Sequence, residues 1–314
     1  MPHIESSGKL TGTGTRSHLT QKETAASLCR YRMNTFVFSV ANQKGGVGKT
    51  STSVNLAAGI AERGRRVLLI DFDAQANATS GLGLEKIEGS SLYTVLLGQG
   101  DPRDFIKPTA YKRLDVIPAE VNLAGAEIEV ARLEGYLHRL KNALQPLIRE
   151  NRYDYILLDC PPSLGILTMN ALCASHGLLM PIQAEYYALE GLSVMVRLIQ
   201  QLRESQANPE LEVEGIVMTM YDNRTKLAQQ VVQQVTDYFG DKVYKTLIPR
   251  SVRISEAPSF GKPVLEYDRH STGAAAYREL AKEFLHRRKK STAAPETSAS
   301  DAIPPDISVA EPPE

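Results

Sequence analysis

The chain has 314 residues and a formal net charge of zero, with 36 Lys and Arg against 36 Asp and Glu, which excludes a uniformly basic, histone-like protein. Its hydrophobic fraction of 42% suffices to bury a core, and no apolar run reaches the roughly 18–20 residues of a membrane-spanning helix. The balance is uneven along the chain: after residue 290 there are five acids and no Lys or Arg, which leaves 36 basic against 31 acidic residues before that point and suits a polyanionic partner.

Residues 1–33 are rich in Ser and Thr, lack periodicity and carry five Lys or Arg against two Glu. They read as a disordered basic arm, as sequence ahead of a start at Met33, or as a transit peptide; the first two fit better, because the folded pattern begins just after Met33. Thr35–Ala41 reads as a buried strand, Thr50–Arg63 as a helix, Arg66–Asp71 and Leu114–Pro118 as further strands. Ala126, Val130, Leu133, Leu137, Leu140, Leu144 and Leu147 recur at steps of three and four, which predicts one long amphipathic helix. Strands follow at Tyr153–Asp159 and Gly177–Pro181, a helix over Leu189–Leu202, a strand at Leu211–Met220, a helix over Leu227–Tyr238, and a last helix from Gly273 to Lys290. Residues 291–314 hold five prolines and charge of one sign only, and read as a disordered acidic tail. Alternating strands and helices, with strands apolar on both faces, predict an α/β fold: one doubly wound, mostly parallel sheet with helices on both faces, occupying residues 34–290 as a single domain.

The three cysteines, Cys29, Cys160 and Cys173, form no close pair, which argues against a disulfide scaffold and fits a reducing compartment. The six histidines show no metal-ligand spacing. The strongest chemical signal is Lys44-Gly45-Gly46-Val47-Gly48-Lys49-Thr50, which follows a strand and opens a helix. Glycines let the backbone approach phosphate oxygens, and free N–H groups at the helix start face the anion. Lys49 is then expected to reach the β- and γ-phosphates of a nucleotide, and Thr50 to give its hydroxyl to Mg²⁺.

The common phosphate loop needs a glycine at position 43, where this chain has Gln43, and it carries instead a second lysine, Lys44. In this it resembles the deviant Walker A loop of the ParA/MinD class of P-loop ATPases. The segment Asp71-Phe72-Asp73-Ala74-Gln75-Ala76-Asn77-Ala78-Thr79 resembles that family's D-x-D-P-Q-x-N-A-T stretch, with Ala74 in place of the usual proline, and Ile156-Leu157-Leu158-Asp159 resembles a Walker B strand end. Pro181–Leu192 and Ile248–Pro263 resemble the ParA/Soj partitioning ATPases specifically. The resemblance covers residues 34–288.

This resemblance implies a cytoplasmic, nucleoid-associated ATPase with slow intrinsic turnover, using ATP and Mg²⁺ in chromosome or plasmid partitioning. ATP would join two copies into a homodimer that binds DNA without sequence preference, and a ParB-type centromere-binding protein would stimulate hydrolysis. It implies a nucleotide site of Lys44, Gly45, Gly46, Val47, Gly48, Lys49, Thr50 and Ser51. Lys44, Lys49 and Asp73 would be catalytic: Lys44 would reach the partner's ATP and Asp73 would orient water. Thr50, Asp73 and Asp159 would stand around Mg²⁺. Taken alone, Lys44 reads as a solvated loop cation and Asp73 as a helix cap. Arg224, Arg250 and Arg253 correspond to the family's DNA-binding positions, though Arg250 or Arg253 could equally serve the nucleotide or a salt bridge with Glu256. The run Arg287-Arg288-Lys289-Lys290 suits a helix C-terminus, with a DNA or membrane contact secondary. A MinD-like membrane-cycling ATPase is the first rival; the acidic tail argues against it, and no membrane partner is expected. A related tyrosine kinase is disfavoured because residues 291–314 contain no Tyr, and an ATP-switched regulatory or adaptor protein stands as a further alternative.

Overall fold

The computed structural model describes residues 35–185 and 188–293, with the side chains of 290–293 set aside. The expected disordered arm, most of the acidic tail, and Tyr186 and Tyr187 lie outside the described residues. Among these, seven strands form one sheet: β1 Phe36–Val40, β2 Val67–Asp71, β3 Lys107–Pro108, β4 Leu114–Ile117, β5 Tyr155–Asp159, β6 Gly177–Gln183 and β7 Glu212–Thr219. Their spatial order is β3-β4-β2-β5-β1-β6-β7, and every pairing is parallel except that of β3 with β4. The main helices are α1 Lys49–Glu62, α2 Leu123–Glu129, α3 Arg139–Glu150, α4 Ile166–Ala174, α5 Ala188–Glu204, α6 Lys226–Phe239 and α7 Thr272–Ala293. The last runs three residues past its expected end at Lys290. No helix among the described residues is long and apolar enough to cross a membrane.

Alternation along the strands builds the two layers. Leu68, Ile70, Ile156 and Leu158 point into one core with α2 to α6, while Val67, Leu69 and Leu157 point into the other with α1 and α7. Each strand must therefore be apolar on both faces. The parallel arrangement brings the carboxyl ends of β1, β2, β5, β6 and β7 to one edge, the place where open α/β sheets bind ligands.

The long helix expected over residues 126–147 is two helices. After α2 the chain makes a 3₁₀ turn at Val130–Arg132, Leu133 turns extended at ψ 150°, Gly135 takes a left-handed φ of 65°, and α3 starts at Arg139. The period survived the break because Ala126, Val130, Leu140, Leu144 and Leu147 all enter the same core.

A glycine crossing lies between the segment after Asp73 and the Ile248–Pro263 stretch. Gly261 has φ +62°, and a Cβ there would sit 2.6 Å from the Cα of Gly83, itself at φ +78°. Gly261→Ala thus combines left-handed strain with a backbone clash and is expected to cost about 2–4 kcal/mol. Thermal unfolding followed by circular dichroism should show a fall of several degrees in Tm; an unchanged Tm would mean that these two backbones do not meet.

Candidate nucleotide site

The phosphate loop leaves β1 and is tied to the neighbouring strand ends. Asn42 Nδ2 donates to the Pro181 carbonyl at 2.8 Å, the Lys44 N–H donates to Asn42 Oδ1 at 3.0 Å, and Thr219 Oγ1 donates to the Val47 carbonyl at 2.8 Å. Gly48, at φ +84°, stands at the N-cap of α1 and supplies no side-chain cap, so the first amides of the helix remain available to an anion. A Cβ on Gly45 or Gly46 would meet nothing within 4 Å. Val47 is buried, so of the expected nucleotide-binding set it can offer only its backbone N–H. Thr50 and Ser51 follow on the first turn of α1, both partly exposed.

Lys49 is 7% exposed, and its ammonium donates to the Lys44 carbonyl at 2.9 Å, so the loop folds back on its own lysine. Burial pushes its pKa down, against the attraction of Asp159, Cys160 and Asp73.

Beneath the loop lie two buried acids that the β2–β5 register sets side by side, Asp71 opposite Asp159. Asp71 is fully engaged: Thr79 donates its N–H and its hydroxyl to Oδ2, each at 2.7 Å, and the Asp73 N–H reaches Oδ1 at 3.3 Å. Its role is to hold the turn after β2. Asp159 accepts from Ser53 Oγ at 2.7 Å through Oδ1, while its buried Oδ2 has no hydrogen-bond partner. Burial, and then the neighbouring Asp71, push the Asp159 carboxyl well up, with Ser53 and Thr50 pulling it back. Asp73 is partly exposed, and its Oδ1 accepts the Gln75 N–H at 3.0 Å. It holds a turn and does not cap the next helix, Asn77–Gly81, whose N-cap is Ala76 with no side-chain cap, so the plainer helix-cap reading is corrected; its charge also acts on Lys49.

These residues fit a magnesium nucleotide. Among the described residues no group of three or more His, Cys, Asp or Glu side chains converges to hold a metal by itself. Mg²⁺ keeps waters and is bound through one or two carboxylates plus substrate phosphates, so a free carboxylate oxygen on Asp159 beside a hydroxyl on Thr50 matches its needs. Ser53, Asn42 and Thr219 were not singled out in the sequence. Ser53 carries the one readable signal, a hydroxyl about one helical turn after Lys49.

Of the basic residues singled out in the sequence, Lys44 and Arg250 meet at one acid. Lys44 Nζ lies 3.3 Å from Glu185 Oε2, and Arg250 lies 3.9 Å from Glu185 Oε1. Arg224 grips both oxygens of Asp222, at 2.9 and 2.7 Å, just before Thr225 caps α6. Hydrogen bonds from the Tyr221 N–H to the Ile248 carbonyl at 2.9 Å, and from the Arg250 N–H to the Tyr221 carbonyl at 3.0 Å, bind the two segments together. Hydrogen bonds from Arg224, with a further pull from Arg250, hold Asp222 down to about 2. Arg253 is separately engaged, 3.0 Å from Glu256 and 3.3 Å from Asp268. The salt bridge with Glu256 is thus present.

A family model described as an AAA domain matches residues 35–213. The chain is 54% identical over 248 residues to the sporulation initiation inhibitor protein Soj of Bacillus subtilis, spanning 79% of this chain and 97% of that protein. It is 48% identical over 254 residues to the chromosome partitioning protein ParA of Caulobacter vibrioides, spanning 81% and 95%. Among solved structures, cobyrinic acid a,c-diamide synthase from Mycobacterium smegmatis with bound ATP analogue and magnesium is 36% identical with a TM-score of 0.71, covering 84% of this chain and 100% of that one. With a lysine-bearing deviant loop, an Asp-x-Asp turn and an Asp-ended central strand in one place, the chain belongs to the ParA/Soj family of P-loop ATPases.

Proposed function

We propose that the chain is a DNA-partitioning ATPase of the cytoplasm, working at the nucleoid, whose ATP-bound homodimer holds DNA and whose hydrolysis releases it. The observation that carries this reading is the second loop lysine, Lys44, on the loop's exposed rim, where it can leave its own protomer. The names of the relatives, chromosome partitioning among them, support it. In this reading the activity belongs to residues 34–290, the ATPase domain expected from the sequence.

In this reading the loop amides and Lys49 bind the phosphates, Lys49 exchanging the Lys44 carbonyl for a phosphate oxygen. Bound Mg²⁺, held by Thr50 and Asp159, would supply positive charge to the phosphates as the γ-phosphoryl leaves. Ser53 fixes the Asp159 carboxylate, and Asp71 fixes the turn that presents Asp73. Asp73 orients the attacking water. Lys44 adds a second cation from the partner, so hydrolysis and dimer formation depend on one another. A ParB-type centromere-binding protein would accelerate a turnover that is slow on its own.

DNA would lie on Arg224, Arg250 and Arg253, where contacts to phosphates read charge and not bases. With roughly four phosphates neutralised per dimer, log affinity should fall with a slope of about −3.6 against log salt. Arg224→Glu and Arg250→Glu are expected to weaken binding to every DNA sequence and flatten that slope while ATP-driven dimerisation persists. Arg253→Glu is expected to act likewise, because its pairs with Glu256 and Asp268, like that of Arg224 with Asp222, are exposed contacts that DNA phosphates can displace. Titrations at several salt concentrations, with dimer followed in parallel, test this. Normal DNA binding in all three variants would move the DNA surface elsewhere, and loss of the dimer together with DNA binding would move these arginines to the nucleotide.

A further inference from the structure

Glu185 stands two residues beyond the end of β6, in a tight turn. Its N–H donates to the Gln183 carbonyl at 2.8 Å, and its own carbonyl accepts the Ala188 N–H at 2.9 Å as α5 begins. These two bonds tie Glu185 to the end of β6 and to the start of α5. Its two oxygens face two cations from distant parts of the chain: Oε2 meets Lys44 of the phosphate loop at 3.3 Å, and Oε1 meets Arg250, after β7, at 3.9 Å. Gln183 Nε2 also donates to Oε1, steadying the carboxylate from the neutral side. The side chains of Lys44, Glu185 and Arg250 are 45%, 46% and 60% exposed, so these pairs are exchangeable contacts at the surface and not part of the core. The shared acid is unusual in what it joins, because one cation belongs to the nucleotide loop and the other to the arginines expected to meet DNA.

We propose that Glu185 is a positioning residue that withholds Lys44 from the partner's phosphates and Arg250 from DNA while no nucleotide is bound. The inference rests on the partitioning reading given above. One carboxylate screens both cations in the ATP-free monomer. Phosphate in the dimer outcompetes it for Lys44, since an anion carrying several charges attracts an ammonium more strongly than one carboxylate does. Duplex DNA, with its dense phosphates, outcompetes it for Arg250 in the same way. The acid thereby sets a threshold: without ATP both cations are engaged, and the chain neither pairs nor binds DNA prematurely.

The variant that tests this is Glu185→Gln, which keeps the shape and a hydrogen-bonding carbonyl but removes the charge. An exposed ion pair shifts an equilibrium by a factor of about 1.5–5, and two Lys44 contacts are broken per dimer, so the dimerisation constant should rise about 2- to 25-fold. DNA binding without ATP should strengthen as well, narrowing the gap between the ATP-free and ATP-bound forms. Both differences should shrink as salt approaches about 1 M, where the screening length is roughly 3 Å; a purely structural role would show no such dependence. Glu185→Asp, which keeps the charge on a shorter arm, should lie between the two. The measurement is dimer fraction against ATP concentration by analytical ultracentrifugation, with DNA titrations in parallel, on the full chain. If wild type dimerises with ATP and Glu185→Gln needs the same or more ATP, the inference is overturned and the partitioning reading stands. If wild type itself neither dimerises nor binds DNA with ATP, the partitioning reading is what fails.

Discussion

Lys49→Ala should abolish nucleotide binding and, with it, every ATP-dependent property of the chain. The side chain sits on the first residue of α1, 7% exposed, with its ammonium 2.9 Å from the Lys44 carbonyl. Holding a cation in so dry a place costs desolvation, and burial does lower its pKa. The structure retains that charge because Asp159 and Asp73 lie within its field and because the loop carbonyl accepts from it. Alanine removes the cation from the centre of the loop while the loop itself stays tied down by Asn42 and Thr219. The variant is therefore expected to fold but to leave phosphate charge uncompensated. Loss of one preorganised electrostatic partner typically costs about 10²–10³-fold in rate, and here it acts on binding as well. Equilibrium binding of a fluorescent ATP analogue and steady-state phosphate release are the measurements. Undiminished hydrolysis by purified Lys49→Ala would remove the loop from the chemistry altogether.

What could be read in the sequence was whatever is local. The phosphate loop announces itself because strand, glycines, lysine and helix follow one another without interruption, and the order of strands and helices follows from apolar runs in the same way. What could not be read depends on pairing at a distance. Asp71 and Asp159 are 88 residues apart, and only the β2–β5 register makes them neighbours; the division of labour between them, one saturated by Thr79 and one with a free oxygen, appears only in three dimensions. Helix α4 escaped notice for a different reason. Ile166–Ala174 is apolar nearly all round, so it has no polar face to mark a period. The break between α2 and α3 was hidden because both pieces feed one core, and a step of three or four says nothing of a left-handed glycine between them. The arginine pairings were half legible. The pairing of Arg253 with Glu256 is local and was anticipated, whereas the shared hold of Glu185 on Lys44 and Arg250 spans 141 residues on one side and could not be.

Asp73→Ala should separate binding from chemistry in the opposite sense to Lys44→Ala. The loop, Asp159 and Ser53 do not depend on the Asp73 side chain, and Lys49, which Asp159 supports more strongly than Asp73 does, keeps its bond to the Lys44 carbonyl, so ATP should still bind. The turn after β2 should also survive. Its backbone bond from the Ala76 N–H to the Asp73 carbonyl, at 2.8 Å, does not involve the side chain, and Asp71 anchors the segment through Thr79. The variant loses one contact, the Gln75 N–H to Oδ1 bond, a matter of about 0.5–1.5 kcal/mol. If Asp73 orients the attacking water, hydrolysis should fall by about 10²–10⁴-fold while affinity changes little, and the protein should accumulate as an ATP-bound dimer. Asp73→Asn keeps an acceptor for the Gln75 N–H and so removes only the charge; it should lose hydrolysis as Ala does, which distinguishes chemistry from turn stability. Lys44→Ala should bind nucleotide yet form little dimer, because the cation that would cross to the partner is gone. Size-exclusion chromatography with ATP, beside phosphate release, reads both. A Lys44→Ala protein that dimerises as readily as wild type would return Lys44 to a solvated loop cation. An Asp73→Asn protein that hydrolyses ATP at the wild-type rate would leave Asp73 as a turn cap and nothing more, and the water would need another acceptor at the carboxyl edge of the sheet.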